Sequence, residues 1–357
     1  MHVPDLCRGR LMLPYWLFFL LPCVGLFINR QLNQRSQVWS WSAIGLFFAL
    51  AMGMRYQVGG DWGAYLRMLE MQSGRSLGDV ITGEDPGFYL LCWLVERAGG
   101  SIYWVNTLCG MIVMAGVVRF CRSLPLPWLA LLVSVPYLII VVGMGYTRQA
   151  AALGFLMLGL VSLTNQSLRW FLFWTLLGAT FHKSAVLMLP VAALASTSNR
   201  FWSLFWGGVI SIAAGYLFLL DSAAYLWTNY VEADYQSQGG MIRVLMNAVP
   251  AALFLSLNRR MRLSAGEQKL WFWMSLFSLA CIPLVVLSST ATDRVALYLI
   301  PIQLFVFSHL PFLAKEPSLR ATIALAVVCY YAFVQFVWLV FGAHSYAWVP
   351  YQVFWLI

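Results

Sequence analysis

A chain of 357 residues in which 61% are hydrophobic and 10% charged cannot clothe a water-facing surface, for which a soluble domain uses roughly 25% charged residues. The net charge of +9 comes from 22 Lys and Arg scattered between apolar runs, which excludes a basic patch for nucleic acid. Seven cysteines without a Cys-x-x-Cys pair point to neither a disulfide framework nor a metal site.

In chain order, apolar runs predict membrane spans near 11–28, 38–54, 101–118, 128–143, 146–164 and 168–181. Further runs lie near 183–196, 201–220, 241–258, 270–289, 294–313 and 321–341. The first follows Arg8 and Arg10, as a signal peptide would, but no small-x-small cleavage site comes after it, so it reads as a span. A crossing helix needs roughly 20 apolar residues, so the apolar stretch at 86–98 is too short and reads as re-entrant or interfacial. The expected fold is one all-α polytopic domain over residues 1–357, with about twelve crossings, eleven to thirteen.

Loops around Arg30, Arg119, Arg169, Arg200, Arg260 and Arg320 collect twelve of the 22 basic residues but only two of the 13 acids, Glu267 and Glu316. The positive-inside rule puts these loops in the cytoplasm and both termini outside. Two long segments, 55–100 and 221–240, then face outward.

In this topology, helices entering from outside begin near Tyr146, Lys183, Met241 and Arg294. Beside those starts lie Arg148, His182 with Lys183, Arg243 and Arg294. A cation at a helix N-terminus opposes the macrodipole by about 0.3–1 kcal/mol. A bound anion relieves that cost, above all phosphate, which Arg grips with two parallel hydrogen bonds. Snorkelling to lipid headgroups accounts for any one of these residues alone; four in equivalent positions point to a shared site. Arg243 also has Glu232 and Asp234 as potential partners, and Arg294 adjoins Asp293. His182 is either an interfacial anchor or a proton acceptor, since an ordinary imidazole titrates near neutrality. No phosphate-binding glycine loop, zinc-protease motif, hydrolase elbow or dinucleotide fingerprint occurs. No cofactor is therefore expected, which leaves cofactor-free chemistry or transport.

The string Gly53-Met54-Arg55-Tyr56-Gln57-Val58-Gly59-Gly60-Asp61-Trp62, followed by Tyr65, resembles the signature of EpsG-like exopolysaccharide polymerases, relatives of the Wzy O-antigen polymerases. Later pieces match in order: Glu84 to Tyr89, Thr147-Arg148-Gln149-Ala150, Phe181-His182-Lys183-Ser184, Asp293-Arg294 with Tyr298, and Trp348-Val349-Pro350-Tyr351. Gly60 stands where the family usually has a small polar residue, and Trp62 where it has Tyr. These departures bear on sugar specificity more than on reaction class.

The resemblance implies a glycosyltransferase-C-like membrane enzyme in the bacterial cytoplasmic (inner) membrane, working on its outer, periplasmic face. It would join oligosaccharide repeat units carried on undecaprenyl diphosphate, without a metal and with inversion at the anomeric carbon. Donor and acceptor glycan lipids, the bilayer and a chain-length regulator are the partners it admits. On this reading Arg148 and Arg294 take the diphosphate, with Gln149, Lys183, Arg243 and Asp293 around them. Arg55 supports the anion or pairs with Asp61; Tyr65, Trp62 and Trp348 stack on sugar, and Tyr351 belongs to the substrate-binding set. His182 or Asp61 is the base; Asp61 is equally readable as the salt-bridge partner of Arg55. A lipid-linked oligosaccharide flippase, an O-antigen ligase and an O-acyltransferase are the alternatives.

Overall fold

The computed structural model describes residues 5–28, 34–195, 205, 208–209 and 239–356. The apolar run at 201–220 and the outward segment at 221–240 thus lie almost wholly outside the described residues, as do Glu232 and Asp234. Among the described residues the chain is all-helical, with a single isolated bridge between Arg55 and Val353.

Helices α1 (Asp5–Ile28) and α2 (Gln34–Gly53) come first, then three short ones: α3 (Trp62–Glu70), α4 (Leu77–Ile81) and α5 (Pro86–Arg97). Long helices α6 (Ile102–Arg122), α7 (Pro127–Gly145), α8 (Thr147–Thr164) and α9 (Leu168–Phe181) follow. A 3-10 stretch, Lys183–Met188, leads into α10 (Leu189–Ala195). The last described part holds α11 (Gly240–Leu257), α12 (Ala265–Leu287), α13 (Ser289–Leu297), α14 (Pro301–His309) and α15 (Pro317–Phe341).

Six of these helices, α6, α7, α8, α11, α12 and α15, are long and apolar enough to cross a membrane, and α13 with α14 makes a seventh if their 53° bend lies within one span. The chain is a multi-pass membrane protein. The expectation of about twelve crossings outruns this count for physical reasons. The run at 201–220 lies almost wholly outside the described residues, and the run at 168–181 forms a helix of 14 residues, short for a full crossing. The run at 183–196 is broken into a 3-10 turn and seven helical residues.

At the centre stands α7, whose window is buried along its whole length. Pro127 starts it without wasting an N–H. Pro136 then lacks the donor that would bond back one turn, and Val135–Val142 winds as a π-helix, wider by one residue per turn. Around it, α6 packs between α2 and α8, and α8 packs on α9. The α6–α8 crossing depends on glycine. A Cβ on Gly116 would sit 2.1 Å from the Gly154 carbonyl oxygen, and one on Gly154 would sit 2.7 Å from the Ile112 oxygen. The outer helices turn side chains such as Val286, Leu287, Phe333 and Phe341 outward, fully in keeping with a lipid-facing surface.

One end of the bundle is sewn together by backbone bonds between residues far apart in the chain. Tyr56 N–H donates to the Gln352 carbonyl (2.9 Å), Gly59 N–H to Ala347 (2.8 Å) and Phe354 N–H to Met54 (2.9 Å). Trp348 anchors the same tail by donating from Nε1 to the Ile140 carbonyl at 2.9 Å. Gly59 holds φ at +102°, and a Cβ there would strike the Met144 oxygen, so only glycine lets this loop press onto the end of α7.

Candidate active site

The loop after α2 carries Arg55 and Asp61, which sequence proximity suggests as an ion pair. The structure separates them. Arg55 is 1% exposed and spends its guanidinium on protein acceptors: Nε on the Val58 carbonyl (3.0 Å), Nη1 on the Met52 carbonyl and Nη2 on Thr147 Oγ1 (2.9 Å). Its planar group lies 5.7 Å from the Trp62 ring centroid. Burial lowers its pKa to about 10, so it stays charged at neutral pH. Arg55 is thus a staple between α2, its following loop and α8, not a residue that faces a ligand. Tyr351 is likewise drawn inward, its hydroxyl donating to the Ala51 carbonyl at 2.8 Å and its ring packing on Tyr15 and Phe18.

Asp61 stands at the start of α3 with its side chain open to solvent, and it does not cap that helix. Enough protein surrounds it that burial raises its pKa, against the pull of Arg294 and Arg148. Asp61 is thus an accessible carboxylate within electrostatic reach of two cations. Tyr65, one turn further along α3, is buried, and its hydroxyl accepts from the Arg148 backbone N–H at 3.4 Å.

Arg148 approaches from the first turn of α8. Its Nη1 donates to Asp85 Oδ2 at 2.7 Å, its guanidinium lies 5.8 Å from the Phe88 ring centroid, and its Nε has no hydrogen-bond partner among the described residues. Asp85, within the matching stretch Glu84 to Tyr89, carried no role in the sequence. It sits in the left-handed backbone region (φ 42°, ψ 56°) directly before Pro86, which opens α5. Its side chain does not cap α5; Oδ1 accepts instead from the Lys183 N–H at 3.1 Å. One carboxylate therefore ties three segments. Burial raises its pKa, partly offset by Arg148. Neighbouring Glu84 takes the Lys183 Nζ at 3.4 Å.

His182 breaks the chain between α9 and the 3-10 stretch in an extended conformation. Burial lowers its pKa to about 3, with Arg148, Arg294 and Lys183 adding to the effect, so the ring is neutral. Its Nδ1 lies 2.7 Å from Ser184 Oγ, which donates to the Tyr298 hydroxyl at 3.1 Å. Neither Ser184 nor Tyr298 stood among the predicted site residues.

The far wall comes from α11 and α13. Arg243 grips Asp293 with both Nε and Nη2, the latter at 2.5 Å. Asp293 is thus held by Arg243 rather than by its neighbour Arg294. Gln149, buried on α8, donates from Nε2 to the Arg294 carbonyl at 2.8 Å and so fixes α13 against α8. Arg294 acts electrostatically on both Asp61 and His182. Of the predicted residues, Asp61, Tyr65, Arg148, His182, Lys183 and Arg294 converge; Gln149, Arg243 and Asp293 brace the wall; Arg55 and Tyr351 lie behind it. Among the described residues no three His, Cys, Asp or Glu side chains group as metal ligands do.

The arrangement offers cations to an anion and an open carboxylate beside them. Neither a curated protein nor a solved structure matches the chain. The EpsG family model matches residues 38–353. That stretch takes in the whole cluster from Arg55 to Tyr351, and the chain belongs to the EpsG family.

Proposed function

We propose that this protein is an exopolysaccharide polymerase that joins repeat units carried on undecaprenyl diphosphate, on the outer face of the bacterial cytoplasmic membrane. EpsG membership supports polymerisation as the activity class. The observation that carries the substrate class is the approach of Arg148, Arg294 and Lys183 to one neutral imidazole, beside the accessible Asp61. A diphosphate leaving group gains negative charge as its bond to sugar breaks, and preorganised cations in a walled site stabilise that charge. The basic bias of the opposite loops supports an outward orientation for this end. About twelve crossings in a glycosyltransferase-C-like arrangement complete the reading.

In the proposed reaction an acceptor hydroxyl oxygen attacks the anomeric carbon of the donor sugar. The bond from that carbon to the diphosphate oxygen breaks, its electron pair stays on the diphosphate, and the anomeric centre inverts. The hydroxyl proton passes to Asp61. Desolvation suits this carboxylate to the task, because a raised pKa makes it a better base. His182 is the poorer base, since burial and three cations oppose an imidazolium there; it serves as a positioning group.

The test is reconstitution of the purified chain in vesicles with short lipid-linked repeat units. A ladder of glycan lengths is expected. Relocation of the lipid across the bilayer without extension would replace the polymerase by a flippase, and transfer of glycan to lipid A would replace it by a ligase.

A further inference from the structure

The bend between α13 and α14 frees backbone carbonyls that a straight helix would satisfy. Pro301 has no N–H, and the turn before it tightens: Tyr298 N–H bonds to the Val295 carbonyl (3.0 Å) and Ile300 N–H to the Leu297 carbonyl (3.3 Å), so neither reaches back four residues. The Arg294 and Ala296 carbonyls lose their usual helical donors. Side-chain amides replace them, Gln149 Nε2 on Arg294 at 2.8 Å and Asn247 Nδ2 on Ala296 at 2.7 Å.

Asn247 lies one turn beyond Arg243 on α11, so the face that grips Asp293 grips the Ala296 carbonyl as well. Behind it runs a row of buried, uncharged groups. Gln303 of α14 donates from Nε2 to Asn247 Oδ1 at 2.6 Å, and the Tyr331 hydroxyl of α15 donates to Gln303 Oε1 at 2.8 Å. The direction of every bond is fixed from one end. A backbone carbonyl only accepts, so the Asn247 nitrogen faces Ala296 and its oxygen faces Gln303; the Gln303 nitrogen meets that oxygen, and its own oxygen is left for the phenol. Polar side chains at membrane depth are costly and are kept where they have a task.

We propose that Asn247, Gln303 and Tyr331 are positioning residues that hold the last turn of α13, through the Ala296 carbonyl, so that Arg294 stands within electrostatic reach of Asp61. The use of Arg294 on a diphosphate rests on the polymerase reading; its placement beside Asp61 does not. Arg294 lies in that last turn, two residues before Ala296, so a rotation of the turn swings it. Asp61 also meets Arg148 from α8 and the phenols of Tyr65 and Tyr146, which are neutral where a carboxyl titrates. Arg148 is tied to Asp85 rather than to α11. Only the Arg294 share of the field at Asp61 therefore depends on the row.

The test separates placement from stability. A triple variant, Asn247→Leu with Gln303→Leu and Tyr331→Phe, removes the whole row at once and orphans no side chain, and the Ala296 carbonyl keeps the Leu299 N–H at 3.1 Å. Apolar replacement of all partners is close to neutral for stability, so thermal unfolding in detergent should match wild type. In carbon-13 carboxyl spectra of the full chain in micelles, the Asp61 signal is identified by its loss in Asp61→Asn. Arg294 favours the charged carboxylate, so the Asp61 midpoint should move to higher pH in Arg294→Gln and in the triple variant. Adding the triple changes to Arg294→Gln should move it no further. Tyr331→Phe alone should shift it the same way by less. A folded triple variant with the wild-type midpoint, a further shift on top of Arg294→Gln, or a triple variant that does not fold overturns the proposal. In the vesicle assay the triple variant should lose roughly 10–100-fold in kcat/KM, the scale on which a small misplacement acts; unchanged turnover counts against it. A wild-type protein that makes no ladder sinks the polymerase reading, while the titration still decides the placement of Arg294.

Discussion

Asp85 holds Arg148 at 2.7 Å from a backbone conformation that few residues other than glycine adopt willingly. Keeping a non-glycine residue in the left-handed region costs on the order of 1 kcal/mol, so its side chain must return more than that. The Asp85 side chain is 5% exposed and the Arg148 side chain 23%, so the pair is only partly screened. Asp85→Ala should destabilise the protein by about 1–3 kcal/mol, less than the full cost of breaking a deeply buried pair. Asp85→Asn should do less harm, because Asn tolerates the backbone and still accepts from Lys183 N–H. Thermal unfolding in detergent measures both; equal stability of Asp85→Ala and wild type would remove Asp85 from its bridging role.

Arg148→Lys keeps a cation for Asp85 but loses the planar fork. Protein levels should hold while polymer yield falls by roughly 100-fold, the scale on which loss of one transition-state donor acts. Normal polymer from this variant would detach Arg148 from the leaving group.

Arg55 predicts the opposite phenotype. Its donors satisfy two carbonyls and Thr147, and hydrogen bonds from a charged donor are each worth about 1.5–3 kcal/mol. Arg55→Lys and Arg55→Ala should lower melting temperature and membrane yield before any kinetic parameter of the remaining folded protein changes. A well-folded Arg55→Ala protein with a raised KM would return Arg55 to the ligand.

The pH profile separates Asp61 from His182. Catalysis by the Asp61 carboxylate is present above its folded pKa and is lost as pH falls through it. Burial raises that pKa, so the acid limb of kcat/KM should lie above the usual Asp value of about 3.9. Asp61→Asn should abolish turnover at every pH, whereas His182→Gln should lower turnover and keep the acid limb. A limb that vanishes in His182→Gln would make the imidazole the base.

Gly116→Ala should be poorly tolerated, since its Cβ would sit 2.1 Å from the Gly154 oxygen across the α6–α8 crossing. Forcing the helices apart costs about 1–3 kcal/mol. Gly266→Ala, which meets nothing within 4 Å, is the control expected to match wild type in thermal unfolding.

Several of these features were legible before any coordinates. Arg148 in the first turn of α8 conflicts with the helix dipole, and that conflict is visible in a string of letters; Arg294, expected at a helix start, lies instead in the last turn of α13, where the dipole favours a cation. Arg55 was misread because nearness in sequence suggested Asp61 as its partner, while its carbonyl acceptors and a threonine 92 residues away carry no charge to betray them. The bridging role of Asp85, inside the matching stretch Glu84 to Tyr89, was hidden for a related reason: a left-handed φ at a non-glycine residue leaves no mark in composition. The π-helical segment of α7 was equally silent, because an all-apolar run has no polar face from which to read its winding. At 183–196 the apolar content suggests one helix, while the described backbone runs as a 3-10 stretch and then a helix, a break that apolar letters do not mark.

The stitching of residues 347–354 onto the loop at 54–59 bears on when the protein becomes competent during its synthesis. The helices insert one after another, yet the floor beneath Asp61 and Arg148 stays open until that late segment leaves the ribosome. A nascent chain that already holds Arg148, His182 and Arg294 in the bilayer lacks the tail that fixes their support. Whatever this end of the bundle does therefore waits for residues 347–354.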